Sequence, residues 1–435
     1  MSLFGAMNTA ISGLSSQSAA FSNISDNVAN SQTVGFKRVD TAFIDYLTTS
    51  NATTNLSGAA VARPEYMNNI QGTVAQTDNP LGLAIAGQGF FPVSHPAGSK
   101  SGQTSFSPTA HFTRAGDFQL NKSGYMVNSA GEYLNGWSVN STTGVVNRNA
   151  VAPIQVNQTV FNPVATSKVS LSANLPATPT AGSAVSSQVD VYDGLGTAHT
   201  VTLNWAQNAT NDWTVSVNVP DDTTAAARGT ADVQFGSTSG NAVADGTVGA
   251  LSLATGSITA ATYAASASAD LTFTVNFGQG VQTIALNLGN FGSSAGLTQY
   301  AGTSYSLRGL SQDGVPPGSF SSISTSTSGD LSVNYDNGQS RVIARVPVVT
   351  FASPNALQRQ DGQSFTASNA SGNPLTQDAG TNGAGNLVTG AIEQSNVDIA
   401  QEFSKLIVAQ RAYSANTKLV TTADQLLQET IDMKR

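Results

Sequence analysis

A chain of 435 residues with 40% apolar content is long enough for two or three domains and can fill a core in each, which excludes a disordered chain. Charged residues make up only 10%, against about 25% in ordinary proteins, and the net charge is -8, so no basic stripe exists to release counterions from nucleic acid. Cysteine is absent, which rules out disulfides, thiolate metal sites and cysteine nucleophiles.

The first basic residue is Lys37. The N-terminus therefore lacks the cationic segment of a secretory signal, and export is expected by a route without a cleaved signal peptide. No apolar run approaches the roughly 18 residues of a membrane span, so no membrane insertion is expected. Met7, Leu14, Phe21 and Val28 recur every seven residues, with Leu3, Ala10 and Ile24 on the companion row and Gln17 as its polar exception. This spacing predicts a helix with one narrow apolar seam. Gly5 and Gly13 each cost such a helix about 1 kcal/mol, and Ser12 to Ser25 is serine-rich, so alone it is frayed.

From about residue 76 to 350 the period changes to two. Val169/Leu171/Ala173/Leu175, Val189/Val191, Val201/Leu203/Trp205, Trp213/Val215/Val217/Val219 and Leu271/Phe273/Val275/Phe277 alternate as half-buried strands do. Residues 221–268 are rich in small residues and are expected to form long surface loops or weak strands. Asp336-Asn337-Gly338 between residues 331–335 and 341–346 predicts a hairpin, because Asn-Gly accepts the positive φ of a tight turn. Strands at this spacing read as sandwiches or barrels.

At the far end Ile399, Leu406, Tyr413, Val420 and Leu427 repeat the seven-residue spacing, with Phe403 and Ile431 on the companion row and Gln410, Thr417 and Asp424 between. Ser395 and Asp398 form an S-x-x-D capping box that predicts a helix start near Val397. Either seam alone fits a helix packed on its own domain. Two matching seams at opposite ends suggest that the ends meet and that everything between is a nested insertion.

Chemistry finds little support. His95, His111 and His199 are the only histidines, and none is at metal-ligand spacing from another. Gly87-Gln88-Gly89 and Gly383-Ala384-Gly385 lack the rest of a nucleotide loop. Gly292-Ser293-Ser294-Ala295-Gly296 matches a nucleophile elbow as a string, but no histidine follows His199 to serve it. No catalytic, cofactor-binding or metal-binding residue is assigned, and no enzyme is expected.

The stretch from Asn23 to Lys37, NISDNVANSQTVGFK, closely resembles the N-terminal signature of flagellar rod, hook and hook-associated axial proteins. Residues 395–403, 409–416 and 421–427 resemble the partner signature at the other end. Residues 112–125 and 134–137 are similar to a segment of hook and rod subunits, while 191–199, Asp212-Trp213, 312–318 and 348–357 are similar to hook subunits. Physically, the Asn-rich string is a set of local hydrogen-bonders that can end a helix and turn the chain at Gly35.

The resemblance implies a multidomain, mainly β fold with terminal α-helices and nested discontinuous domains. An inner coiled-coil layer would comprise 1–34 and 395–435, and a connecting region 35–75 and 371–394. A first β-domain would comprise 76–165 and 308–370, and an outer β-domain 166–307. It implies a bacterial flagellar hook subunit, a self-assembling hollow helical tube that serves as a universal joint passing motor torque to the filament. Implied partners are further copies of the chain, a distal rod protein, a hook cap protein, hook-filament junction proteins and the flagellar type III export apparatus; the implied location is extracellular. A distal rod-type protein with an enlarged outer domain and an extracellular binding module are the alternatives. The self-assembly seam is expected at Leu3, Met7, Ala10, Leu14, Phe21, Ile24, Val28, Ile399, Phe403, Leu406, Tyr413, Val420, Leu427 and Ile431.

Overall fold

The computed structural model describes residues 3–50, 55–100, 103–140, 143–179 and 185–433, and the side chains of these apart from 3–4, 47–50, 55–57, 99–100 and 103. The protein is mainly β with one long helix at each end, α1 (Leu3–Ala29) and α2 (Ile399–Asp432). It divides into two compact units. One comprises residues 1–158, 321–334 and 340–435; the other comprises 159–320 and 335–339.

In the first unit α1 ends where short polar side chains offer the backbone other partners. Asn30 Nδ2 donates to the Asp26 carbonyl at 2.9 Å and Ser31 Oγ to the Val28 carbonyl at 2.8 Å. The turn that follows needs Gly35, at φ 70°, because a Cβ there would stand 2.4 Å from the Ala115 nitrogen. The chain then forms a long antiparallel hairpin, β1 (Val39–Ser50) and β2 (Asn55–Tyr66). The helix α2 starts at Ile399, two residues later than the capping string suggests. Asp398 is itself the cap, its carboxylate accepting from Ala400 N at 2.9 Å and Gln401 N at 3.2 Å, while Ser395 Oγ serves only the Val397 nitrogen.

The β-structure of this unit is built on Tyr133–Val139, which pairs with Phe91–Ser94, Val146–Pro153 and Ser340–Arg345. An aromatic cluster fills the space beside it: Phe90 meets Phe365 at 5.6 Å and Phe351 at 6.0 Å, edge to face. The hairpin expected at Asp336-Asn337-Gly338 forms, but as a three-residue loop closed between Tyr335 and Gln339, with only Gly338 at positive φ.

The second unit is a β-sandwich. One sheet runs through Val185–Tyr192, Ala198–Ala209, Asp212–Asn218, Ala227–Phe235 and Val248–Ser252. The other runs through Thr259–Ala260, Ser268–Asn276, Val281–Asn290, Lys168–Pro176 and Leu297–Tyr300, with Ser306–Gln312 also paired to Lys168–Pro176. Inward residues alternate with outward ones, and Trp205, Trp213, Phe235 and Phe273 close one shared core. Residues 221–268 depart from expectation. Ala227–Phe235 is a central strand that buries Ala231, Val233 and Phe235, and Val248 and Ile258 also join the core. Gly229 and the small Ala231 hid the alternation.

Candidate functional site

The two terminal helices pack on each other, and α1 also packs on β1 and β2. Ser16 Oγ donates to the Ala60 carbonyl at 2.7 Å, Ser12 Oγ accepts from Ala60 N at 3.1 Å, and Asn23 Nδ2 donates to Thr41 Oγ1 at 2.8 Å. The serine content that weakens α1 as an isolated helix thus gives it a hydrogen-bonding face for the hairpin.

Toward α2, Ala10 and Ile24 are buried, and Met7, Leu14, Phe21 and Val28 are half-buried. The side chain of Leu3 lies outside the described residues. On α2, Leu406, Val420 and Leu427 are half-buried, and Tyr413 sets its ring edge-on to Phe21 at 6.3 Å. Ile399, Phe403 and Ile431 are exposed. The companion row on α2 is instead Glu402, Ala409, Asn416 and Ala423, spaced by seven and buried or half-buried. Small side chains let the helices approach, and Gly13 shows how closely: a Cβ there would lie 2.9 Å from Asn416 Nδ2. Hydrophobicity alone selects Phe403 over Glu402, whereas the packed helices select for size and hydrogen bonding.

Glu402 is fully buried because it is answered. Asn27 Nδ2 donates to its Oε2 at 3.1 Å, and Lys405 Nζ to its Oε1 at 2.9 Å and to Asp40 on β1. Asn27 also brackets Val39, donating to its carbonyl and accepting from its N–H, both at 2.9 Å. Burial works against the charge on Lys405, but its hydrogen bonds to Asp40 and Glu402 outweigh it and raise the pKa. Sliding α2 by one turn would strand Glu402 without Asn27, at a cost of several kcal/mol, so the network fixes register.

A second buried cluster ties both ends of the chain to the β-structure. Glu393 accepts from Lys37 Nζ at 2.5 Å, Arg114 Nη1 at 2.8 Å and Gly72 N at 2.8 Å. The Lys37 ammonium also donates to the Ile70 carbonyl, and the Arg114 guanidinium to those of Ile85 and Gly87. Two cations share one carboxylate here. Burial, partly offset by Glu393 and reinforced by Arg114, pulls Lys37 down to about 8, and burial likewise lowers Arg114. Beside the helices, α1, β1, β2 and α2 enclose an open groove of about 580 Å³ floored by Ala20, Ile24, Val39 and Ala409.

Elsewhere, His95 and His111 are edge to face at 4.3 Å, with Glu132 3.2 Å from His95. Among the described residues no three histidine, cysteine or acidic side chains are placed to hold a metal, and no helix is long and apolar enough to cross a membrane.

Four family profiles match the chain in order. Residues 7–37 match the flagella basal body rod protein, 84–174 the flagellar hook protein FlgE/F/G D1 domain, 155–315 the flagellar basal body protein FlaE D2 domain, and 388–433 the flagellar basal body rod FlgEFG protein C-terminal. The chain is 31% identical to the flagellar hook protein FlgE of Brucella suis over 440 residues, covering all of both chains. It is 28% identical to that of Salmonella typhimurium, covering 98% of this chain and 99% of the other. The crystal structure of Helicobacter pylori flagellar hook protein FlgE2 overlaps 72% of this chain and 98% of that one, at 14% identity and a TM-score of 0.48. With both terminal signatures, the domains between them and full-length kinship to hook subunits in place, the chain belongs to the flagellar hook protein family, a family of structural proteins of the flagellum.

Proposed function

We propose that this chain self-assembles into a hollow helical tube that acts as the flexible joint between the flagellar motor and its filament. The observation that carries the reading is the pair of terminal helices, held in register by a buried polar network, with large apolar side chains left exposed along α2. One face of α2 is used within the chain; the others need occupants, and a subunit whose contact surfaces differ from one another can add copies head to tail into an open helix.

In this reading the domains nest, with residues 1–34 and 395–435 as an inner coiled-coil layer and 166–307 outermost. Assembly uses the seam named above, supplemented by Glu402, Ala409, Asn416 and Ala423. Subunits leave the cell through the type III export route and meet a distal rod protein, a cap and junction proteins, as family membership implies. Electron microscopy of the purified chain, concentrated from monomer, tests this. Tubes are expected, with α1 and α2 resistant to protease in the tube and trimmed in the monomer. A monomer that forms no ordered polymer at any concentration would refute it.

A further inference from the structure

The groove beside α1 has a mouth of unusual charge. Asp40 on β1 and Glu65 on β2 are directly opposed across the hairpin, an arrangement of like charges that disfavours itself. Asp40 is answered by Lys405 and by Arg38 at 3.6 Å. Among the described residues no cation pairs with Glu65, which is exposed. The groove's outer lip is apolar and exposed too, formed by Phe43 and Val408.

On the C-terminal half of α2 one stripe is complementary at its start, around Lys418, before Asp424, Glu429 and Asp432 turn the end of the helix acidic. Leu419 and Leu426, 58% and 52% exposed, stand seven residues apart with Ala415 and Thr422 on the same stripe. At 100° per residue Arg411 and Lys418 flank that stripe on one side, and neither has an ion-pair partner among the described residues. The stripe is offset from the one facing α1, so it stays open when the two helices of one chain are packed.

We propose that the groove formed by α1, β1, β2 and the start of α2 receives the C-terminal half of α2 from a second copy of this chain, Leu419 and Leu426 inward and Lys418 toward Glu65. The groove and the stripe are different patches of one subunit, so the contact is heterologous and can repeat from copy to copy along an open helix. On α2 they are about 16 residues apart, which at about 1.5 Å per residue sets neighbouring copies roughly 24 Å apart along the helix axis when their α2 helices run parallel. The inference rests on the tube-forming reading and adds to it which surfaces meet.

The absence of cysteine allows a clean test. Chains carrying Phe43→Cys with either Leu419→Cys or Leu426→Cys are assembled under reducing conditions and then oxidised. A ladder of disulfide-linked multimers is expected from tubes of at least one pair, and none from the single variants or from monomer. Separately, Glu65→Lys should raise the critical concentration for tube growth roughly fivefold, and adding Lys418→Glu should restore it. Tubes of the paired-cysteine variants that give no multimers, a disulfide that closes within one monomer, or a charge reversal that does not rescue would each overturn the contact while leaving tube formation intact. A wild-type chain that forms no tubes would instead sink the assembly reading, and this contact with it.

Discussion

The β-sandwich and the paired terminal helices are held together in opposite ways. In the sandwich, alternate side chains of two sheets fill one core in which Trp205, Trp213, Phe235 and Phe273 are almost wholly buried, and each such side chain contributes about 2–3 kcal/mol of transfer free energy. Along α2 only Glu402, Ala409 and Ala423 are buried, while Phe403, Ile407, Val408, Leu419 and Leu426 face outward. The sandwich fills a continuous core within the chain, with scattered side chains such as Leu195, Leu253 and Val281 left at its surface; the helices satisfy their polar contacts, and α2 leaves most of its large apolar side chains exposed. A region whose polar groups are satisfied and whose apolar groups are not is specified in register yet only weakly stable alone.

The largest test of that contrast is at the buried cluster beside the helices. Glu393→Gln leaves Lys37 and Arg114 buried without a counter-charge and should lower unfolding free energy by about 3–5 kcal/mol, measured by urea denaturation. Lys37→Met, which leaves Glu393 paired with Arg114, should cost clearly less; equal losses would show that the carboxylate is not the centre of the cluster. In the sandwich Trp213→Ala should cost about 3–5 kcal/mol by opening a cavity, with the loss confined to the cooperative transition of that unit. If far-UV signal from the helices is lost at the same midpoint, the two regions unfold as one.

A smaller effect follows from the proton on Lys37. Its folded-state pKa, about 8, is below the 10.5 of the unfolded chain, so between these values the unfolded state binds the extra proton and stability rises with pH. The gain is at most about 1.4 kcal/mol per pH unit. Comparing urea midpoints at pH 7.5 and 9.5 should show it in the parent chain, and Lys37→Met should abolish the increment. A decline in both chains alike would remove Lys37 as the source. The smallest effect is expected at the exposed stripe: Leu419→Ala should change monomer stability by less than about 0.5 kcal/mol. A larger loss would mean that the stripe is already used within the chain.

Period-two alternation made the sandwich readable wherever outward positions are polar and inward ones large, as in Val189/Val191 or Trp213/Val215/Val217. It failed at Ala227–Phe235, where Ala231 is small and Gly229 interrupts the pattern. The seven-residue spacing placed both terminal helices and the half-buried row Leu406, Val420 and Leu427. It missed Glu402, Ala409, Asn416 and Ala423 because close helix packing there favours small size and hydrogen bonds, neither of which registers as hydrophobicity. Asn27 was within the signature string, but its pair of hydrogen bonds to Val39 is a tertiary property. No local pattern could have joined Glu393 to Arg114 and Lys37, which are 279 and 356 residues away.

That separation has a consequence for a chain made from its N-terminus onward. Lys37 and Arg114 exist long before residue 393 does, and until it arrives neither cation can be taken out of water without a counter-charge. The turn at Gly35 waits on the same segment, since its nitrogen donates to the Glu393 carbonyl at 2.8 Å. A product cut short anywhere before residue 393 therefore cannot seat the start of its hairpin, however well its sandwich has folded. Closure of contacts so distant in sequence is also slow. Only a chain made at least as far as residue 393 can bring Lys37 and Arg114 to the same carboxylate.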